Sequence, residues 1–191
     1  MRLIGIQNEI DQPIYDTMQL AVAAVPQTLN FFSVPIGQII AGAVAKTYSH
    51  TNLVQAGRLE KGLKLTIKAV SFAVKETAVG GARPTWADYV SVYNNSFLRL
   101  FIGQVSFLDT YLQAVPPASA EVGYYSNIVA AATEYKPTHG VGSYFNRFPL
   151  DQPLFLDDQE SINVELTVGN AIVAVTDVMV ILWGSMVRPV R

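Results

Sequence analysis

The side chains that most often carry chemistry are sparse in this chain. It has no cysteine, which excludes disulfides, thiolate zinc sites, iron–sulfur clusters and a cysteine nucleophile, and leaves the redox compartment undetermined. Two imidazoles remain, His50 in a Thr/Asn-rich turn and His139 beside Gly140, far apart in sequence and without a carboxylate at metal-ligand spacing. They read as two loop histidines. The densest acidic group, Asp157, Asp158 and Glu160, could offer oxygens to calcium, but it lacks the glycine and the spacing of a helix–loop–helix calcium site. A solvated turn ahead of the next strand is the plainer reading. Ser143, His139 and Asp151 have the residue types of a serine triad, yet no nucleophile elbow surrounds the serine. Gly80-Gly81 and Gly140-Gly142 lack the lysine and following helix of a phosphate-binding loop and read as turn glycines. Asn94-Asn95-Ser96 matches a glycosylation acceptor in form alone. No catalytic residue, metal or cofactor is expected, and the chain is read as a non-enzyme.

Aromatic residues offer more. Tyr124, Tyr125, Tyr135, Tyr144, Phe145 and Phe148 gather in the connection between Pro117 and Pro153. A sugar-binding face built of stacking tyrosines would have this composition. So would a subunit interface, with rings buried and hydroxyls at the rim, and that reading is preferred.

The elements that must position these residues are strands. Ile162, Val164, Leu166 and Val168 alternate with Asn163, Glu165 and Thr167, a period of two. Leu63, Leu65 and Ile67 alternate with Lys64 and Thr66 in the same way, and the apolar parity then changes around Ala69, the mark of a bulge or a corner. Thr28 to Val34, Phe97 to Ile102, Val105 to Val115 and Val178 to Val187 read as further strands, the second a central one. Residues 86–93 fit a short helix or a strand, and Ser126 to Tyr135 a short helix within the long connection. About eight strands without regular βαβ alternation predict an all-β sandwich or barrel of one domain. Residues 1–27 precede the first clear strand. The spacing of Ile10, Ile14 and Met18 fits a short amphipathic helix or an extended arm, with 28–191 as the β domain.

Charged residues make up 15 % of the chain and hydrophobic ones 50 %, where ordinary soluble domains carry about 25 % charge. Mean hydropathy is +0.27. Either a membrane or partner subunits must therefore cover much of the exterior. No apolar run approaches the roughly 20 residues of a spanning helix, and the first residues lack the layout of a secretory signal. Coverage by neighbouring subunits is what remains. With a net charge of −2 and no basic run, direct sequence-specific nucleic-acid binding is not expected.

Four segments carry a resemblance: FFSVPIGQ at Phe31 to Gln38, KTYSHTNLVQAGRLEKGLKLTIKAV at Lys46 to Val70, NSFLRLFIG at Asn95 to Gly103, and VMVILWGSMVRPV at Val178 to Val190. They look like the jelly-roll capsid (coat) proteins of tailless icosahedral bacteriophages. Thr51, Asn52, Gly57, Leu59, Gly184, Arg188 and Pro189 are its most specific positions, and the segments cover about half the chain. The resemblance implies a single eight-stranded jelly roll that assembles into capsomers, as a trimer, pentamer or hexamer, beside other capsid proteins. It implies a virion location after synthesis in the host cytoplasm, an internal membrane beneath the shell in many members, and no catalytic residue. The alternative function is a carbohydrate-binding jelly-roll module, such as a phage receptor-binding or decoration protein, that uses the tyrosine-rich connection.

Overall fold

Strict alternation becomes sheet wherever one face can be buried. The computed structural model describes residues 7–24, 26–40, 44–75, 86–118, 121–129, 132–139 and 146–189, with only the backbone described along 121–129 and 132–139. The strands are β1 (Gln7–Asp11), β2 (Ile14–Leu20), β3 (Gln27–Phe31), β4 (Ile39–Ile40), β5 (Val44–Ala45), β6 (Lys64–Lys75), β7 (Ser96–Ile102), β8 (Val105–Tyr111), β9 (Glu121–Val129), β10 (Ala132–His139), β11 (Phe148–Leu156), β12 (Ile162–Val168) and β13 (Thr176–Pro189). A helix, α1 (Trp86–Asn94), precedes β7 and sends Val92 into the core.

Two antiparallel sheets dominate. One runs β1/β2, β13, β6, β11, and the other runs β3, β12, β7, β8. Ile162, Val164, Leu166 and Val168 of β12 are all buried, as are Leu98, Leu100 and Ile102 of β7. From the other sheet Leu65, Ile67, Val70 and Phe72 of β6 and Val178, Val180 and Leu182 of β13 join the same core cluster. The protein is therefore an all-β sandwich. β4–β5 and β9–β10 form separate two-stranded ribbons.

The two principal sheets hold nine strands where eight were expected. The extra one comes from a break at Gln12-Pro13, which splits one long edge strand into β1 and β2, both paired with β13. Proline has no N–H to give to the ladder, so the strand must interrupt there. Gln12 N still donates to Gly184 O at 3.2 Å across the break.

The segment expected to be a short helix or an arm is thus sheet over residues 7–11 and 14–20. Ile14 is fully buried, and Ile10 and Met18 pack partly buried against the core. The helix alternative arose for a physical reason. A spacing of four is one helical turn, but it is also two periods of a strand, and the intervening inward position holds Asp16, which hides the alternation. Ser126 to Tyr135, expected to be helical, instead belongs to β9 and β10, which pair through Ser126↔Tyr135.

The parity change near Ala69 is a bulge in β6. Trp183 pairs with Ala69 and Gly184 with Ile67, which leaves Lys68 as the extra residue. An added Cβ on Gly184 would overlap the Thr66 carbonyl, so the close approach of β13 to β6 at the bulge requires glycine.

Candidate assembly surface

The seven residues singled out by resemblance converge largely on the strand break. Asn52 stands beside it as a backbone substitute: its Nδ2 donates to Pro13 O at 2.8 Å and its Oδ1 accepts from Tyr15 N at 3.0 Å. Thr51 Oγ1 donates to Tyr15 O at 3.0 Å, and Thr51 forms an isolated bridge with Asp16. The free side of β2 is closed in this way, which removes one exposed sheet edge. On the opposite side Gly184 receives Gln12 N, and Arg188 donates to Gln12 Oε1 at 2.6 Å. Pro189 pairs with Gln7 at the far end of β1. Leu59 is buried in the core, and Gly57, at φ 62°, links Phe32 O to Ile162 N through its own N–H and carbonyl. Gln12, Asn52, Leu59 and Arg188 border a shallow cleft of about 70 Å³. Ligand sites hold roughly 300–1,000 Å³, so this cleft is too small for a sugar ring and its neighbours.

Beneath the break lies a buried ion pair. Asp16 and Lys46 meet at 2.6 Å with no exposed side-chain surface on either partner. Asp16 Oδ2 also accepts the Phe32 N–H at 2.6 Å. Loss of water raises the Asp16 pKa above its ordinary value, against the lowering effect of the Lys46 charge, and the same desolvation lowers the pKa of Lys46. Sequence reading did not find this pair. Its only signal was the Asp at an even position between Ile14 and Met18.

The aromatic residues divide. Tyr124, Tyr125 and Tyr135 lie on the β9–β10 ribbon, where the register sets Tyr124 and Tyr135 at positions of one face and Tyr125 at the other. Phe148, opposite Val70, packs partly buried against the core. Tyr144 and Phe145 fall outside the described residues.

A second apolar surface, missed from the sequence, runs along the outer edge of the four-stranded sheet, which has no further strand among the described residues. On β8, Val105, Phe107 and Tyr111 are 58 %, 48 % and 68 % exposed. Phe97 of β7 extends the patch outward, its ring 5.4 Å edge-on from Tyr111 and 5.4 Å beneath the Arg99 guanidinium. Arg99 also pairs with Asp109 at 3.4 Å. β8 carries neither lysine nor proline to blunt its edge, only a bulge at Phe107. The odd spacing of these three residues does not mark one face, because the bulge at Phe107 sets Val105 opposite the buried Ile102, and nothing in the sequence says that β8 ends a sheet.

The groups that could have done metal or acid–base chemistry are otherwise engaged. His50 Nδ1 accepts the Thr47 N–H at 3.2 Å within its own turn. Asp158 Oδ2 accepts Gly62 N at 2.6 Å, Glu160 accepts Asp157 N at 3.0 Å, and Asp157 faces Lys64 at 3.1 Å. Among the described residues no three His, Asp or Glu side chains come together as a metal site would require. Among them, too, no helix is long and apolar enough to cross a membrane. Searches among protein-family models, curated proteins and solved structures find no match to this chain.

Proposed function

We propose that this chain is a self-assembling shell subunit, a jelly roll that covers its apolar margins with copies of itself in an icosahedral capsid of the phage type it resembles. The pairing order supports the jelly roll. With β1 and β2 taken as one broken strand, the two sheets contain eight: the first pairs with the last (β13), β3 with β12, β6 with β11, and β7 with β8. That is the pattern of one antiparallel ribbon wound around itself into two face-to-face sheets.

The observation that carries the functional reading is the free edge β8 with its exposed Val105, Phe107 and Tyr111, on a chain with too few charges to coat a lone subunit. At about 25 cal/mol per Å² of apolar area, an interface of roughly 1,600 Å² offers a large drive toward association even after the cost of immobilising both partners. Light scattering on the purified chain at micromolar concentration tests this. Trimers, pentamers or larger closed particles are the expected result, and a stable monomer overturns the reading.

A further inference from the structure

Asp16 stands where an aliphatic residue would ordinarily pack, on the inward face of β2 between Ile14 and Met18. Lys46 Nζ donates to its Oδ1 at 2.6 Å, and Met18 Sδ lies 3.4 Å from the same nitrogen. The other carboxyl oxygen, Oδ2, accepts Phe32 N–H at 2.6 Å. Phe32 presents that N–H from a left-handed backbone, φ 67°, a conformation a non-glycine residue holds only where its surroundings impose it. Strain of this kind, a donor aimed at a carboxyl oxygen and an enclosed amine in contact with the same carboxyl are the parts of an acyl-transfer site.

We propose that Asp16 and Lys46 condense into an intramolecular isopeptide bond that ties β2 to the segment following β5. In water the two groups would be inert toward each other, because an ammonium has no free lone pair and a carboxylate carbon is a poor electrophile. Burial favours the neutral form of each, so one proton passes from Nζ to Oδ1 and leaves an amine facing a carboxylic acid. The Nζ lone pair then forms a bond to Cγ, and the carbonyl electron pair moves onto Oδ2, where the Phe32 N–H meets the developing charge. A second proton passes from nitrogen to Oδ1. The Cγ–Oδ1 bond breaks, water leaves, and the Cγ–Oδ2 double bond reforms. Acid and amine become amide and water, and no oxidant or co-reactant is consumed. Held in contact by the sandwich, the pair reacts at a high effective concentration. The bond forms within one subunit and does not depend on assembly.

Intact-mass spectrometry of the denatured full chain, after folding and prolonged incubation, reads the reaction directly. The expected mass is lower than that of the sequence by one water, and digestion should release a branched peptide that joins the segments containing Asp16 and Lys46. Lys46→Arg removes the amine nucleophile and should retain the full mass, whether or not that variant folds. An unreduced wild-type mass overturns the proposal, as does a water loss that maps elsewhere or persists in Lys46→Arg.

Discussion

Asp16 is held from two sides, by Lys46 and by the Phe32 N–H, and each contact stabilises a carboxyl that burial alone would expel. Lys46→Met leaves that carboxyl without its cation, and stripping one partner from a buried pair costs about 3–5 kcal/mol. Chemical denaturation at neutral pH, against wild-type protein whose mass is still that of the sequence, should show a loss of that size. The double variant Asp16→Asn/Lys46→Met retains an acceptor for Phe32 and should recover part of it. The pH dependence has a definite sign. In Lys46→Met the folded Asp16 pKa lies above 3.8, so its stability contribution is complete below that value and is lost as pH rises through the folded pKa. The stability gap between the single and double variants should therefore widen as pH rises from about 4, and a gap independent of pH would contradict this account.

A bulge and a turn show how single positions serve whole elements. Gly184 lets β13 approach β6 where Lys68 bulges out, and Gly184→Ala drives a methyl into the Thr66 carbonyl. Strain of that kind costs about 1–3 kcal/mol, and thermal melts of the variant should show a lowered Tm. The acidic turn before β12 is different in kind. Lys64 and the Asp158 N–H hold the Asp157 carboxyl below its ordinary 3.8, yet both side chains of the ion pair are about half exposed or more. The stability it adds is present above 3.8 and disappears as pH falls through the folded pKa. Lys64→Ala should raise the Asp157 pKa in an NMR titration while leaving the denaturation midpoint almost unchanged, because solvent screens so exposed a pair.

For the whole molecule, the proposed association would be governed by the outer edge of β8 and its apolar side chains. Phe107→Lys with Tyr111→Lys places like charges along that edge, the usual natural protection against strand pairing. Both positions are exposed, so each change should alter monomer stability by only about 0.5 kcal/mol. Light scattering should show smaller species for this variant than for the wild type, at unchanged circular dichroism. Equal particle sizes would detach assembly from β8 and direct attention to the β9–β10 ribbon that carries Tyr124, Tyr125 and Tyr135.

The local alternations were legible in the amino-acid order because burial on one face of a strand imposes a period of two whatever the strand pairs with. β12 and the bulge of β6 could be read from their own residues, and so could the all-β class. The break at Gln12-Pro13 and the strand character of Ile10, Ile14 and Met18 could not, since a spacing of four satisfies helix and strand alike and Asp16 masks the inward face. Only tertiary structure decided that Asp16 meets Lys46, that Thr51 and Asn52 close the edge of β2, and that among the described residues β8 is the outer strand of its sheet. Those outcomes depend on which distant segments come to lie side by side, and the order of strands across a sheet leaves no local periodicity behind.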